Sequence, residues 1–253
     1  MDRSAQRRRH DSLNMNGKRR NGNYTNPRKV AVFDVDGTIF RSSLLISLVE
    51  RLIQNGVFPK NAERVYDRAR TRWLDREGDY EEYIQAVINA FQKHLKGVHY
   101  SVLADAAEEV VDVQERHVYR FTRDLLANLR KKGYFLLAVS HSPKTILDKF
   151  CPRLGFDKIY GSIYEIGPQE CFTGEITDAH LIYNKASILK RAVLKENLTL
   201  LNSVGVGDTE SDISFLEMVA EPICFNPNQK LYRYAKRMGW KVVVERKDVV
   251  YEM

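Results

Sequence analysis

Asp34-Val35-Asp36-Gly37-Thr38 sets two carboxylates two residues apart at the end of a short apolar run, with a glycine directly behind them. In extended backbone, residues i and i+2 point to the same side, so both acids would face one site. Gly37 permits a turn whose N–H groups can approach an anion. Such a pair suits chemistry in which one carboxylate attacks and the other moves a proton. The plain alternative is an Asp-Gly turn with incidental acids. Three further groups could join it: Ser140-His141-Ser142, Lys185, and Gly207-Asp208 with Asp212 four residues on. A phosphate dianion repels carboxylates, so a pocket of Asp34, Asp36, Asp208 and Asp212 could attack phosphorus only with a cation screening it. Hard carboxylate oxygens select Mg²⁺ for that place. Taken singly, the later residues have structural uses. Ser142 before Pro143 reads as a helix N-cap, which leaves Ser140 as the better candidate to face a ligand. Thr209-x-x-Asp212 reads as a capping-box-like pair, and Lys185 as a solvated helix charge.

These residues need elements to hold them. Lys29–Asp34 is an apolar, β-branched run that ends in acid, as a buried strand of a parallel sheet would. A helix over roughly 118–132 stops at Gly133, and an apolar strand follows at Tyr134–Val139, closing on Ser140. Beyond it the pattern alternates: a helix from Pro143, a strand near Lys158–Tyr160, a helix over about 180–196 and a strand at Leu201–Val206. A helix from Glu210, a strand at Pro222–Phe225, a helix near 228–238 and a strand at Lys241–Val244 complete it. Strands separated by helices predict an α/β fold with a parallel sheet, right-handed crossovers and helices on its faces. In open sheets of this kind the ligand lies beyond the carboxyl ends of the strands, where Asp34, Ser140 and Asp208 all fall. Residues 43–116 show helical periodicity only (Leu44, Leu45, Leu48, Val49 and Leu52, then Tyr80, Tyr83, Ile84, Val87, Phe91 and Leu95), which predicts a helical insert after the first strand. The aromatic stripe Tyr80–Phe91 reads as packing. Ser162–Ile176, with Gly167, Pro168 and Gly174, reads as an irregular β excursion.

The chain has 253 residues, about two-fifths apolar, and a formal charge of +7. That is enough for one substantial core. Residues 1–28 hold eight Lys/Arg and two Asp, while the remainder holds 32 basic and 31 acidic residues. The basicity therefore belongs to a tail too poor in apolar residues to order itself, and nucleic acid is disfavoured as a partner of the folded part. Weak, salt-sensitive binding of nucleic acid by the Arg-rich tail stays open. No continuous apolar stretch is long enough for a membrane span or a secretory signal, and three scattered cysteines form no metal or disulfide pattern. A cytoplasmic protein is expected.

Asp34-Val35-Asp36-Gly37-Thr38 resembles the first signature of the haloacid dehalogenase superfamily. Ser140, Lys185 and Gly207-Asp208-Thr209-Glu210-Ser211-Asp212 resemble the second, third and fourth, in the same order. The helical insert is similar to the cap of the phosphoserine-phosphatase-like branch. The resemblance implies a Rossmann-like core over 29–42 and 117–253, a cap over 43–116 and a disordered basic tail over 1–28. It further implies an aspartyl-phosphate on Asp34, with Asp36 as acid/base and, through its carbonyl, as metal ligand. Asp34, Asp208 and Asp212 would hold Mg²⁺, Ser140, His141 and Lys185 would bind the phosphoryl group of a small phosphomonoester, and Thr38 would steady Asp36. Family dehalogenases lack the acid two residues past the nucleophile, so phosphoryl transfer is favoured. Phosphoserine phosphatases carry a Glu nine residues past it, and this chain has Ser43 there, which lowers phosphoserine as substrate. Arg41, Arg68, Arg70, Arg72 and Trp73 are candidates to meet an anionic or planar leaving group. Rival readings are a phosphotransferase using the same intermediate, a non-catalytic phospho-accepting domain, and an interaction protein acting through the tail.

Overall fold

The computed structural model describes residues 26–177 and 184–253. The basic tail expected at 1–28 lies outside the described residues up to position 25, as do positions 180–183 of the helix expected at about 180–196.

Eight strands form one sheet in the order β4-β3-β2-β1-β5-β6-β7-β8. They are β1 (Arg28–Phe33), β2 (Phe135–Pro143), β3 (Lys158–Ile166), β4 (Phe172–Thr177), β5 (Leu198–Gly207), β6 (Glu221–Phe225), β7 (Lys241–Arg246) and β8 (Val249–Glu252). Every pairing between β3 and β7 across the centre is parallel. The two outermost pairs, β3 with β4 and β7 with β8, are antiparallel, so the parallel sheet expected from the sequence forms the centre of a mixed one. The segment read as an irregular excursion is the hairpin of β3 and β4. Both edge strands are largely uncovered, with Phe172 the one buried residue of β4 and none buried in β8, and they lack the continuous apolar run that marks a buried parallel strand.

β1 lies at the centre and serves both faces. Ala31 and Phe33 point into one core, Val30 and Val32 into the other. Its register sets Phe33 opposite Ala138 of β2 and opposite Val206 of β5. The residues just past these three points, Asp34, Ser140 and Asp208, are therefore neighbours at one end of the sheet. β2 runs on through Ser140 to Pro143, and its helix starts at Lys144.

On one face lie α5 (Arg120–Lys131) and α6 (Lys144–Phe150), contributing Leu126, Leu129, Ile146, Leu147 and Phe150. The same core continues without a break into the insert: α1 (Leu44–Gln54), α2 (Asp67–Leu74), α3 (Tyr80–Leu95) and α4 (Tyr100–Gln114). Ser43 and Asp79 cap α1 and α3, each accepting a main-chain N–H. On the other face lie α7 (Lys185–Lys195), the short α8 (Ile213–Leu216) and α9 (Gln229–Met238). Tyr83 and Phe91 of the aromatic stripe are buried, as expected, and Phe91 meets Tyr164 edge-on.

Ion pairs fasten the insert to the rest of the chain. Arg153 reaches Glu108, Asp112 and Glu115 on and after α4. Lys230 of α9 bridges Asp79, the cap of α3, and Glu210. Among the described residues, no helix is long and apolar enough to cross a membrane.

Candidate active site

Beyond Phe33 the chain turns sharply. The carbonyl of Val35 accepts the N–H of Ile39 and of Phe40, and the N–H of Gly37 is directed at the carbonyls of Phe40 and Ser42. Gly37 has φ +79, and a Cβ there would lie 2.1 Å from Oδ2 of Asp208. The turn therefore needs glycine twice, for its left-handed backbone and for the approach of Asp208. Gly37→Ala is expected to push Asp208 aside and, with Asp208 as the metal ligand the resemblance implies, to weaken Mg²⁺ affinity by roughly 10–100-fold, the usual effect of disturbing groups that orient metal ligands. A Mg²⁺ titration of turnover checks it, and unchanged affinity would separate Asp208 from the metal.

Asp34 (5% exposed), Lys185 (2%) and Asp212 (0%) are buried together. The Lys185 ammonium donates to Oδ1 of Asp34 and to Oδ1 of Asp212, both at 2.6 Å. Oδ2 of Asp212 accepts the N–H of Asp208 at 2.9 Å and of Thr209 at 3.1 Å. The capping box read at Thr209 and Asp212 is thus present. It uses one oxygen of Asp212 and leaves the other for Lys185, so the capping role does not exclude a place in the site.

Asp36 is held separately. Its Oδ1 accepts the N–H of Leu44 at the start of α1, and its Oδ2 accepts the Ser140 hydroxyl, both at 2.6 Å. Ser140 Oγ in turn accepts the N–H of Ser142 at 2.9 Å. Thr38, expected to steady Asp36, instead donates its hydroxyl to Asp208 at 3.3 Å. It is wholly buried, outside the cavity lining, and its carbonyl accepts the Thr122 hydroxyl. Ser140, the expected phosphate ligand, is likewise fully buried, with its hydroxyl on Asp36. The positions of these hydroxyls depend on the path of the turn, which the sequence does not reveal.

Above these groups is a cavity lined by Asp34, Asp36, His141, Lys185 and Asp208 from below and by Ser43, Leu45, Tyr80, Glu81, Ile84 and Ile88 of the insert from above. The sequence reading missed the insert residues. Tyr80, Ile84 and Ile88 share one face of α3, but that spacing also describes packing, so periodicity alone could not single them out. Ser43, in the place of the family's Glu, both lines the cavity and caps α1. Of the arginines proposed for a leaving group, Arg68, Arg70 and Arg72 line none of this cavity, and Arg72 is paired with Glu82.

The donor set fits a hard divalent cation. One oxygen from each of Asp34, Asp208 and Asp212 lies within 4.8 Å of the others. When all three are ionised, the single ammonium of Lys185 leaves two negative charges uncompensated. Burial, opposed by Lys185 and reinforced by Asp212 and Asp36, pushes the Asp34 carboxyl up to about 8. Burial, with Asp34 and Asp212 beside it, also pushes Asp208 well above the usual carboxylate range. The Asp36 side chain stands outside this group, which leaves its main-chain carbonyl for any share in metal binding. In the unfolded chain these carboxyls ionise near pH 4. Without metal, then, raising the pH from about 4 through about 8 destabilises the fold, and a cation that binds the ionised form reverses this. Mg²⁺ is expected to raise Tm more at pH 8.5 than at pH 5.5. Melts with Mg²⁺ and with EDTA at both values check it, and an equal rise would contradict the linkage.

Comparison with known proteins agrees with this layout. The family model described as haloacid dehalogenase-like hydrolase matches residues 31–217. The inhibition of morphological differentiation protein of Streptomyces azureus is 24% identical, over 87% of this chain and 80% of its own. The histidinol-phosphatase of Neisseria meningitidis is 24% identical, over 85% of this chain and 98% of its own. Among solved structures, a phospho-aspartyl intermediate analogue of phosphoserine phosphatase shares the fold with TM-score 0.57 and 20% identity, over 88% of this chain and 95% of that one. The signature order, the sheet with its carboxylates at one end and the family match agree: the chain belongs to the haloacid dehalogenase-like hydrolases, in the branch whose named members include phosphatases.

Proposed function

We infer that this chain is a Mg²⁺-dependent phosphomonoesterase that hydrolyses a small phosphorylated metabolite through a phosphoryl group carried on Asp34. The observation behind it is the buried cluster of Asp34, Asp208 and Asp212 around Lys185 at the floor of a cavity. Residues 43–116 act as a cap over a core of 29–42 and 117–253, and the part of the substrate beyond phosphorus meets α1 and α3.

Asp34, Asp208 and Asp212 would hold Mg²⁺ with the Asp36 carbonyl. The ion, when bound, offsets the charge of the carboxylates and of the phosphoryl oxygens. An oxygen of Asp34 attacks phosphorus, the P–O bond to the leaving group breaks, and Asp36 delivers a proton to the departing oxygen. Asp36 then takes a proton from water as the water oxygen attacks the phosphoryl group. The P–O bond to Asp34 breaks, and Asp34 is restored with release of inorganic phosphate. Lys185 sets its charge against the transferring oxygens, and the Leu44 N–H and Ser140 hydroxyl keep Asp36 aimed. Ser140 and His141, at the end of β2, are the remaining phosphate-binding candidates, while Thr38 supports Asp208.

The test is release of phosphate from p-nitrophenyl phosphate by the full chain, with Mg²⁺ and with EDTA. Release with Mg²⁺ and its loss with EDTA are expected. Equal rates in both, or no release from this or any of a panel of phosphomonoesters, would overturn the reading.

A further inference from the structure

A second cavity adjoins the first, and Tyr80, Glu81, Asp208 and Thr209 line both. These four residues form a seam, so an ester with its phosphorus at Asp34 can extend across it. Away from the seam the second cavity is lined by Arg41, Arg76, Trp73, Tyr119 and Asn226, among others. Its two acids, Glu81 and Asp208, both belong to the seam. Its two guanidinium groups both belong to the far part.

Like most arginines among the described residues, these two carry no ion pair, so their donors are open to a ligand. Arg41 lies over the Tyr119 ring, 5.6 Å from its centre. Trp73 and Tyr80 meet edge-on, with centroids 5.2 Å apart, and complete an aromatic wall. Arg76 also has φ +63, just past the end of α2, where glycine is the usual occupant. Asn226, in the same wall, has φ +42. Side-chain residues in left-handed backbone gather at ligand sites, where their surroundings hold them. Guanidinium groups beside aromatic faces match a flat ligand that ends in an oxyanion, by stacking and by paired N–H donation.

Resting on the phosphatase reading, we propose that the second cavity is a leaving-group subsite for a planar ring bearing an oxyanion remote from the scissile phosphate. The substrate is then an aryl or heteroaryl phosphomonoester carrying a carboxylate or a second phosphate. Of the cationic candidates the sequence offered, Arg41 lines this cavity together with Trp73; Arg76 was not anticipated.

The experiment compares kcat/KM for phenyl phosphate, the three carboxyphenyl phosphates and the three phenylene bisphosphates, using the full chain with Mg²⁺. At least one anionic ester is expected to exceed phenyl phosphate by tenfold or more, and the carboxylate and phosphate arms identify the oxyanion. In Arg41→Met and in Arg76→Gly, which keeps the backbone of that position, the ratio should fall toward one. No preference in the wild type, or a preference that survives both substitutions, would overturn the subsite. Calorimetry with benzylphosphonate and 4-carboxybenzylphosphonate needs no turnover. Should none of these esters be hydrolysed, the phosphatase reading fails, and tighter binding of the carboxylated phosphonate that is lost in the Arg variants would still support the subsite; equal binding would sink it.

Discussion

Asp34→Asn is expected to lower kcat for p-nitrophenyl phosphate by about four orders of magnitude or more, the scale seen when a covalent nucleophile is removed. An amide is a far weaker nucleophile than a carboxylate, yet it has nearly the same shape. Its oxygen can still accept from the Lys185 ammonium, now 2.6 Å from Oδ1 of Asp34. Burial already disfavours the charged form of this carboxyl, so the neutral amide relieves part of the repulsion from Asp36 and Asp212. Loss of activity should therefore come with an unchanged or higher Tm in EDTA, which distinguishes a chemical defect from a folding defect. Asp36→Asn gives a different pattern. The amide can accept from only one of the Leu44 N–H and the Ser140 hydroxyl and cannot take a proton from water, so the second step suffers most. Nitrophenol should appear in a burst, and phosphate should stay on the protein. Wild-type turnover in Asp34→Asn, or in Asp36→Asn no burst and no labelled protein after acid quenching, would refute these assignments.

The parts of this arrangement that were legible in the sequence are those fixed by short-range pattern. β1 reads from its apolar run, and the two acids past it read from their spacing, because a strand end is a local event. The parallel centre follows from strands alternating with helices. The edge strands are harder to read this way: β4 shows only as part of an irregular β excursion and β8 not at all, because little of either is covered. At the site, chain order predicts which residues meet but not which oxygen each donor reaches. Thr38 and Ser140 illustrate this, one found on Asp208 and the other on Asp36. Glu81 and Arg76 carried no signal at all, since charged residues near a helix end are ordinary. Their place is set by how the insert packs over the sheet, a tertiary relation that no local periodicity encodes. Lys185 is the opposite case: as a lone lysine it reads as solvated, and only its position between two acidic motifs identifies it.

Lys185→Met should bring the second large effect, in two measurements that need not agree. The ammonium is 2% exposed, and the Asp34 and Asp212 carboxylates hold it firmly protonated despite the opposing cost of burial. Met keeps the length of the side chain and removes the charge. Two buried carboxylates then lose their partner, and breaking a buried pair in this way costs about 3–5 kcal/mol. In EDTA the variant should melt well below the wild type. On the proposed reading Mg²⁺ brings positive charge to the same carboxylates, so saturating Mg²⁺ should restore much of that loss. It should not restore turnover. A charge directed at transferring phosphoryl oxygens acts mostly where negative charge shifts during the displacement, and losing one such donor lowers kcat by about 10²–10³-fold. Melting curves with and without Mg²⁺, and kcat and KM at saturating Mg²⁺, therefore separate two roles for one residue. If Lys185 served only to balance buried charge, Mg²⁺ would recover stability and kcat together. If it served only to hold substrate, the change would fall on KM with kcat intact. The position of its nitrogen, shared between Asp34 and Asp212, favours neither of these, because it ties the Asp34 carboxylate to the group that also anchors Asp208.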